Sequence, residues 1–217
     1  MQARGAGGGA SNSIARMPAT DDEIREKYLE RAIRELNGLN RDVQACDGCP
    51  RGNLAPVLAS GHPQADIFLL KHSATPAEVH EGVAFYGRSG QAVLKSLRRL
   101  GIDPLVVYGT LAIKCPVADP LLATPECRAR LLTELAIVQP RIVVVMGEPA
   151  LGALNALEVP LGREVEARPG EIQPLTPTCD ALFVPDIDAA LDEEDAKRVF
   201  WAAFRALGDW YATLPPY

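Results

Sequence analysis

Continuous apolar runs separated by amphipathic stretches set the plan of this chain. Runs at 67–70, 105–113 and 142–146, with a weaker one at 181–184, lack the alternation of a half-solvated sheet and predict strands buried on both faces. Between them, 90–100, 125–138 and 148–157 carry helical periodicity, and 193–212 predicts a last amphipathic helix bearing Val199, Phe200, Trp201, Phe204 and Trp210. Asp21 and Asp22 open a charged helix running to about Leu39, with Ile24, Tyr28, Ala32 and Leu36 as its narrow apolar face. Strands alternating with helices predict a parallel sheet covered on both sides, an α/β fold of the three-layer α/β/α sandwich type. Reactive groups in such folds gather at the carboxyl ends of the strands. Residues 1–20, rich in Gly, Ala and Ser, read as a disordered N-terminal tail, and residues 21–217 as a single domain.

Composition agrees with that plan: 217 residues at 47% hydrophobic and 23% charged suffice for one domain with a full core. The tail has no apolar segment flanked by charge, so it is not a signal peptide, and no apolar run is long enough to span a bilayer. A cytoplasmic monomer with reduced thiols and no membrane association is expected. The net charge of −6 argues against a general nucleic-acid binder. Arg88, Lys95, Arg98 and Arg99 form a local basic group, which on a helix is either a solvated face or a set of phosphate contacts.

The cysteines add chemistry. Cys46-Asp47-Gly48-Cys49 precedes the strand at 67–70, Cys115 follows the strand ending Ile113-Lys114, and Cys127 opens a helix. A C-x2-C pair joined by two distant thiolates can hold a tetrahedral metal or a cubane cluster, so an iron-sulfur cluster, zinc and unliganded thiols all remain open. Cys179 stands apart, and an unliganded thiol is expected there.

Five segments occur in a telling order: Cys46-x2-Cys49, Phe85-Tyr86-Gly87-Arg88-Ser89-Gly90, Ile113-Lys114-Cys115-Pro116, Glu126-Cys127, and Val143-Val144-Val145-Met146-Gly147-x2-Ala150. Together they resemble the iron-sulfur uracil-DNA glycosylases of the family-four and family-five branches, over roughly Ile24 to Trp210. The resemblance implies a four-stranded parallel sheet with helices on each side. It also implies a structural [4Fe-4S] cluster on Cys46, Cys49, Cys115 and Cys127, with zinc as the alternative. Phe85 would be the aromatic on which an extruded base stacks, with Gly87, Arg88 and Gly90 completing the turn.

The chain departs from the family where the family does its chemistry. The Gly-Glu-Ala-Pro-Gly-like turn that positions water falls on Lys71-His72-Ser73-Ala74-Thr75, the base-reading asparagine on Leu111, and the late His-Pro on Val184-Pro185. Leu111 can neither donate nor accept a hydrogen bond. The segment matching the family's minor-groove loop holds six carboxylates within 186–195, which weakens the expectation of DNA as partner, although Asp192 to Asp195 also suit a helix N-terminus. The implied function is a superfamily member that keeps the cluster, has lost standard uracil excision, and binds nucleic acid or another partner. The alternative is an active DNA glycosylase for a different lesion, with Lys71 as nucleophile and His72 as base. With no third group evident to orient His72, these two read more simply as polar residues filling a turn.

Overall fold

Strands that read as continuous apolar runs need cover on both faces, and the protein supplies it. The computed structural model describes residues 20–117 and 125–214; the expected tail lies, apart from Thr20, outside the described residues. In chain order the elements are α1 (Asp21–Gln44), β1 (Ser60–Gly61), β2 (Ile67–Lys71), α2 (Pro76–Glu81), α3 (Arg88–Arg99), β3 (Val107–Leu111), α4 (Pro125–Val138), β4 (Ile142–Met146), α5 (Glu148–Asn155), β5 (Ile172–Thr176), β6 (Cys179–Val184), α6 (Ile187–Ala190) and α7 (Glu194–Tyr211).

The sheet runs β1-β3-β2-β4-β6-β5. Its centre, β3-β2-β4-β6, is the expected four-stranded parallel unit. Two antiparallel edge strands, β1 on β3 and β5 on β6, extend it to six. Every residue of β2, β3 and β4 is buried, as continuous apolar runs require. Alternate side chains feed two cores. Phe68, Leu70, Val143 and Val145 pack with Leu36 of α1, Leu131 of α4 and Leu154 of α5. Ile67, Leu69, Ile142 and Val144 pack with Leu97 of α3 and Phe200 and Phe204 of α7. The three layers follow directly.

Several boundaries differ from expectation. The run at 105–113 yields only five residues of strand, because Asp103 caps a 3-10 turn over Pro104–Val106 that uses up its start. α1 continues to Gln44, because Leu39 and Val43 prolong its buried stripe, whereas Ile24 and Tyr28 at the other end are exposed. A fully buried Leu or Phe contributes roughly 1.5–3 kcal/mol. The apolar anchoring of α1 therefore comes from its second half, which delivers the chain to Cys46. Among the described residues no helix is long and apolar enough to cross a membrane.

Candidate functional site

The carboxyl end of β2 carries a buried cation. Lys71 is 3% exposed, and its Nζ donates to Glu78 Oε1 and Oε2 at 3.1 and 3.0 Å and meets Asp188 Oδ2 at 2.6 Å. Its ammonium stands 5.5 Å from the centroid of the Phe85 ring, within cation–π range. Lys71 is thus not a polar residue filling a loosened turn. It is the last residue of the strand, and burial is tolerable because each of its three N–H donors has a carboxylate oxygen.

Glu78 organises the neighbourhood. Fully buried on α2, it also accepts from Thr75 N at 2.8 Å, Thr75 Oγ1 at 3.0 Å and Phe85 N at 2.6 Å. The Thr75–Glu78 part is a capping box, which starts α2 with Pro76 in its first turn. The bond to Phe85 holds a non-glycine residue at φ 61°, a conformation that is costly for a bulky side chain and needs support from its surroundings. Phe85 lays its ring on Gly109 of β3, where an added Cβ would stand 2.6 Å from the ring. Gly90 admits no side chain either, since its Cβ would lie 1.6 Å from the Phe85 carbonyl oxygen, and Gly87 takes φ 87° to enter α3. Phe85, Gly87 and Gly90 therefore form the expected tight turn.

Arg88 does not join them. It points outward and pairs with Asp192 at 2.9 Å, both side chains being largely exposed. Arg99 stacks over Trp201 at 4.9 Å. The acidic 186–195 segment is likewise not six bare carboxylates. Asp186 caps α6, Asp188 binds Lys71, Asp192 binds Arg88, and Glu194 and Asp195 pair with Lys197 and Arg198. Much of its repulsion toward phosphate is cancelled locally.

His72 is half-buried beyond Lys71. Burial lowers its pKa from 6.5 and the charge of Asp186 opposes this, so the imidazole is neutral at pH 7. Leu111 is wholly buried against Val57, Ala84, Ala74, Val79 and Phe85. Val184 is wholly buried in the opposite core.

The second feature is a thiol cluster. Cys49, Cys115 and Cys127 are buried and form an apolar group of their own, with Cys49 Sγ 3.9 Å from Cys127 Sγ. Cys46 is half-buried and hydrogen-bonded to Arg130. Arg51 fixes the intervening loop by donating to the Cys46 and Gln44 carbonyls. No disulfide is formed. Burial, then the neighbouring Cys49 and Cys127, push the Cys115 thiol up to about 12, and burial with Cys49 raises Cys127 as well. Thiols crowded in this way resist ionisation unless a cation compensates them. Among the described residues no group of three or more His, Cys, Asp or Glu side chains stands so that it could hold a metal ion; Cys49, Cys115 and Cys127 pack together, and Arg130 interacts with both Cys46 and this group.

Cys179 lies elsewhere, at the start of β6, and lines a cavity of about 680 Å³ with Leu135, Pro160 and Leu175. Burial, reinforced by Asp180, pushes its thiol from 9.0 to about 12. An unfolded chain loses this proton first, so the stability associated with the protonated thiol is full below pH 9 and is lost as pH rises to 12. In denaturant titrations over that range, Cys179→Ala is expected to remove a slope of about 1.4 kcal/mol per pH unit. Parallel curves for variant and parent would refute the assignment.

Two clusters escaped the sequence reading. One is Glu78–Lys71–Asp188, for which the Thr75-x-x-Glu78 spacing was a usable signal. The other is a buried network of Lys114, Glu134, Tyr108 and Thr110, for which the sequence offered no signal beyond two charged residues at apolar positions.

Comparison with known proteins points the same way as the geometry. The family model for the uracil DNA glycosylase superfamily matches residues 58–205. A Type-4 uracil-DNA glycosylase of Pyrobaculum aerophilum is 28% identical over 142 residues, covering 61% of this chain and 69% of that protein. A Type-4 uracil-DNA glycosylase of Thermotoga maritima is 30% identical over 132 residues, covering 57% and 67% respectively.

Proposed function

We propose, on the premise that this chain belongs to the uracil DNA glycosylase superfamily, that it retains the scaffold and a thiolate-held cluster, has lost standard uracil excision, and binds nucleic acid or a partner at the carboxyl end of its sheet. The observation carrying this reading is the position of Lys71. Its ammonium lies near the Phe85 ring, locked by Glu78 and Asp188, in the space the resemblance assigns to an extruded base. A uracil entering there would have to displace a three-fold paired buried cation. It would also meet Leu111, leaving its polar edge unpaired at about 1–3 kcal/mol per group.

The donor set of Cys46, Cys49, Cys115 and Cys127 suits a [4Fe-4S] cluster, with zinc as the alternative, since soft thiolates serve both. When bound, such a group supplies a covalent staple joining the exit of α1, the exit of β3 and the first turn of α4. Arg51 and Arg130 hold positive charge beside the thiolates. A cytoplasmic monomer fits a chain whose cysteines must stay reduced. The local pairing of the 186–195 carboxylates leaves DNA tenable as a partner.

His72 favours a second reading, because its neutral imidazole beside Asp186 has the form a general base requires. That reading is a glycosylase for another lesion through Lys71 and His72. Against it, all three donors of Lys71 are held by carboxylates, leaving no lone pair for attack.

Incubation with single- and double-stranded DNA carrying uracil, hypoxanthine, xanthine or an abasic site separates the two. The expected result is no base release and no strand cleavage, with salt-dependent binding in fluorescence anisotropy. Product formation abolished by Lys71→Ala or His72→Ala would establish the enzyme instead.

A further inference from the structure

The buried network around Lys114 has no part in the base-pocket chemistry, yet it ties the strand exit before Cys115 to the helix that carries Cys127. Lys114 is 2% exposed and Glu134 is fully buried. Lys114 Nζ donates to Glu134 Oε2 at 2.8 Å, to the Leu111 carbonyl at 2.8 Å and to Thr110 Oγ1 at 3.0 Å. Glu134 accepts further from Thr110 Oγ1 at 3.0 Å and Tyr108 OH at 3.2 Å. Two ions in this setting are stable only as a fully bonded set, because an unpaired one would carry a large desolvation penalty.

Placement gives the network its meaning. Lys114 immediately precedes Cys115, and its side chain turns back onto Thr110 and Leu111, closing the strand exit into a fixed loop. Glu134 lies seven residues after Cys127 on α4, two helical turns along the same face. The Lys114 carbonyl accepts from Val57 N at 2.7 Å, tying in the segment that follows Cys49. The side-chain pair therefore joins the strand exit of Cys115 to the helix of Cys127, while the Lys114 backbone also holds Val57.

We propose that Lys114 and Glu134 are a positioning pair for the thiolate-held metal group, fixing the separation between the strand exit that carries Cys115 and the helix that carries Cys127 and slowing the group's release. The inference rests on the reading of Cys46, Cys49, Cys115 and Cys127 as metal ligands. Partners one step behind metal ligands typically affect metal retention by about 10–100-fold when removed, and a comparable effect follows here.

The test is metal release to a chelator from anaerobically purified full-length protein, followed by metal content and by the visible absorbance band, below the melting transition. Lys114→Met combined with Glu134→Gln removes both charges together and strands neither. This variant is expected to melt close to the parent but to release metal about 10–100-fold faster, with an altered absorbance band. If it does not fold, Tyr108→Phe, which removes one hydrogen bond and no charge, is expected to give a several-fold acceleration. Release at the parent's rate from either folded variant overturns the proposal. A parent protein that carries no metal overturns the ligand reading beneath it, so the two failures are distinct.

Discussion

Truncating Glu78 to alanine is expected to lower folding stability by about 3–5 kcal/mol, read as a fall in the denaturant midpoint at unchanged slope. The side chain is fully buried and receives donors from Lys71, Thr75 and Phe85. Its loss leaves Lys71, 3% exposed, with Asp188 as its one remaining carboxylate partner among the described residues, and that partner's side chain is itself 31% exposed. It also releases the Phe85 amide, which helps hold φ 61°, and removes the Glu78 half of the α2 capping box. Lys71→Met should cost clearly less, because Glu78 would keep its bonds from Thr75 and Phe85 and still complete the capping box. The order of the two variants is thus the sharper measurement. A Glu78→Ala protein within about 1 kcal/mol of the parent, or a Lys71→Met protein below it, would show that the triad is not a structural unit.

The same triad shows where reading the sequence ends. The strands at 67–70 and 142–146 and the helix at 125–138 were legible because burial on one or two faces imposes a period on consecutive residues. β5 was not, since Pro174 reads as a loop signal and the polar Gln173 takes a buried position, which breaks the apolar alternation of a strand; as an edge strand with a shifted register it can carry a proline. α2 was missed because six residues give too little periodicity, although its capping box was present. Lys71 read as a polar residue filling a turn because its partners lie seven residues ahead and at 188, and no local pattern encodes such pairing. The same holds for Lys114 and Glu134. For Phe85 the motif located the turn, but only the structure puts a lysine ammonium near its ring.

Replacing Cys127 with alanine is expected to reduce bound metal to less than about a tenth of the parent's, remove the broad absorbance near 400 nm if the group is iron-sulfur, and lower stability by several kcal/mol. The argument starts from burial. Cys49, Cys115 and Cys127 are enclosed together with Cys46 beside them, so a metal taking three or four of these thiolates would be bound by the folded chain and not by the unfolded one. Cys127 is singled out because it opens α4, whose Leu131 and Val138 belong to the core, so its loss uncouples the metal from a helix anchored in that core. Cys179→Ala provides the contrast: a cysteine at the start of β6, lining a separate cavity, should leave metal content unchanged. Equal metal in the Cys127 variant and the parent, or loss of metal in the Cys179 variant, would refute the ligand set. Retained zinc in place of iron would keep the set and change the metal, and a colourless parent with one equivalent of zinc is the result that would demonstrate it.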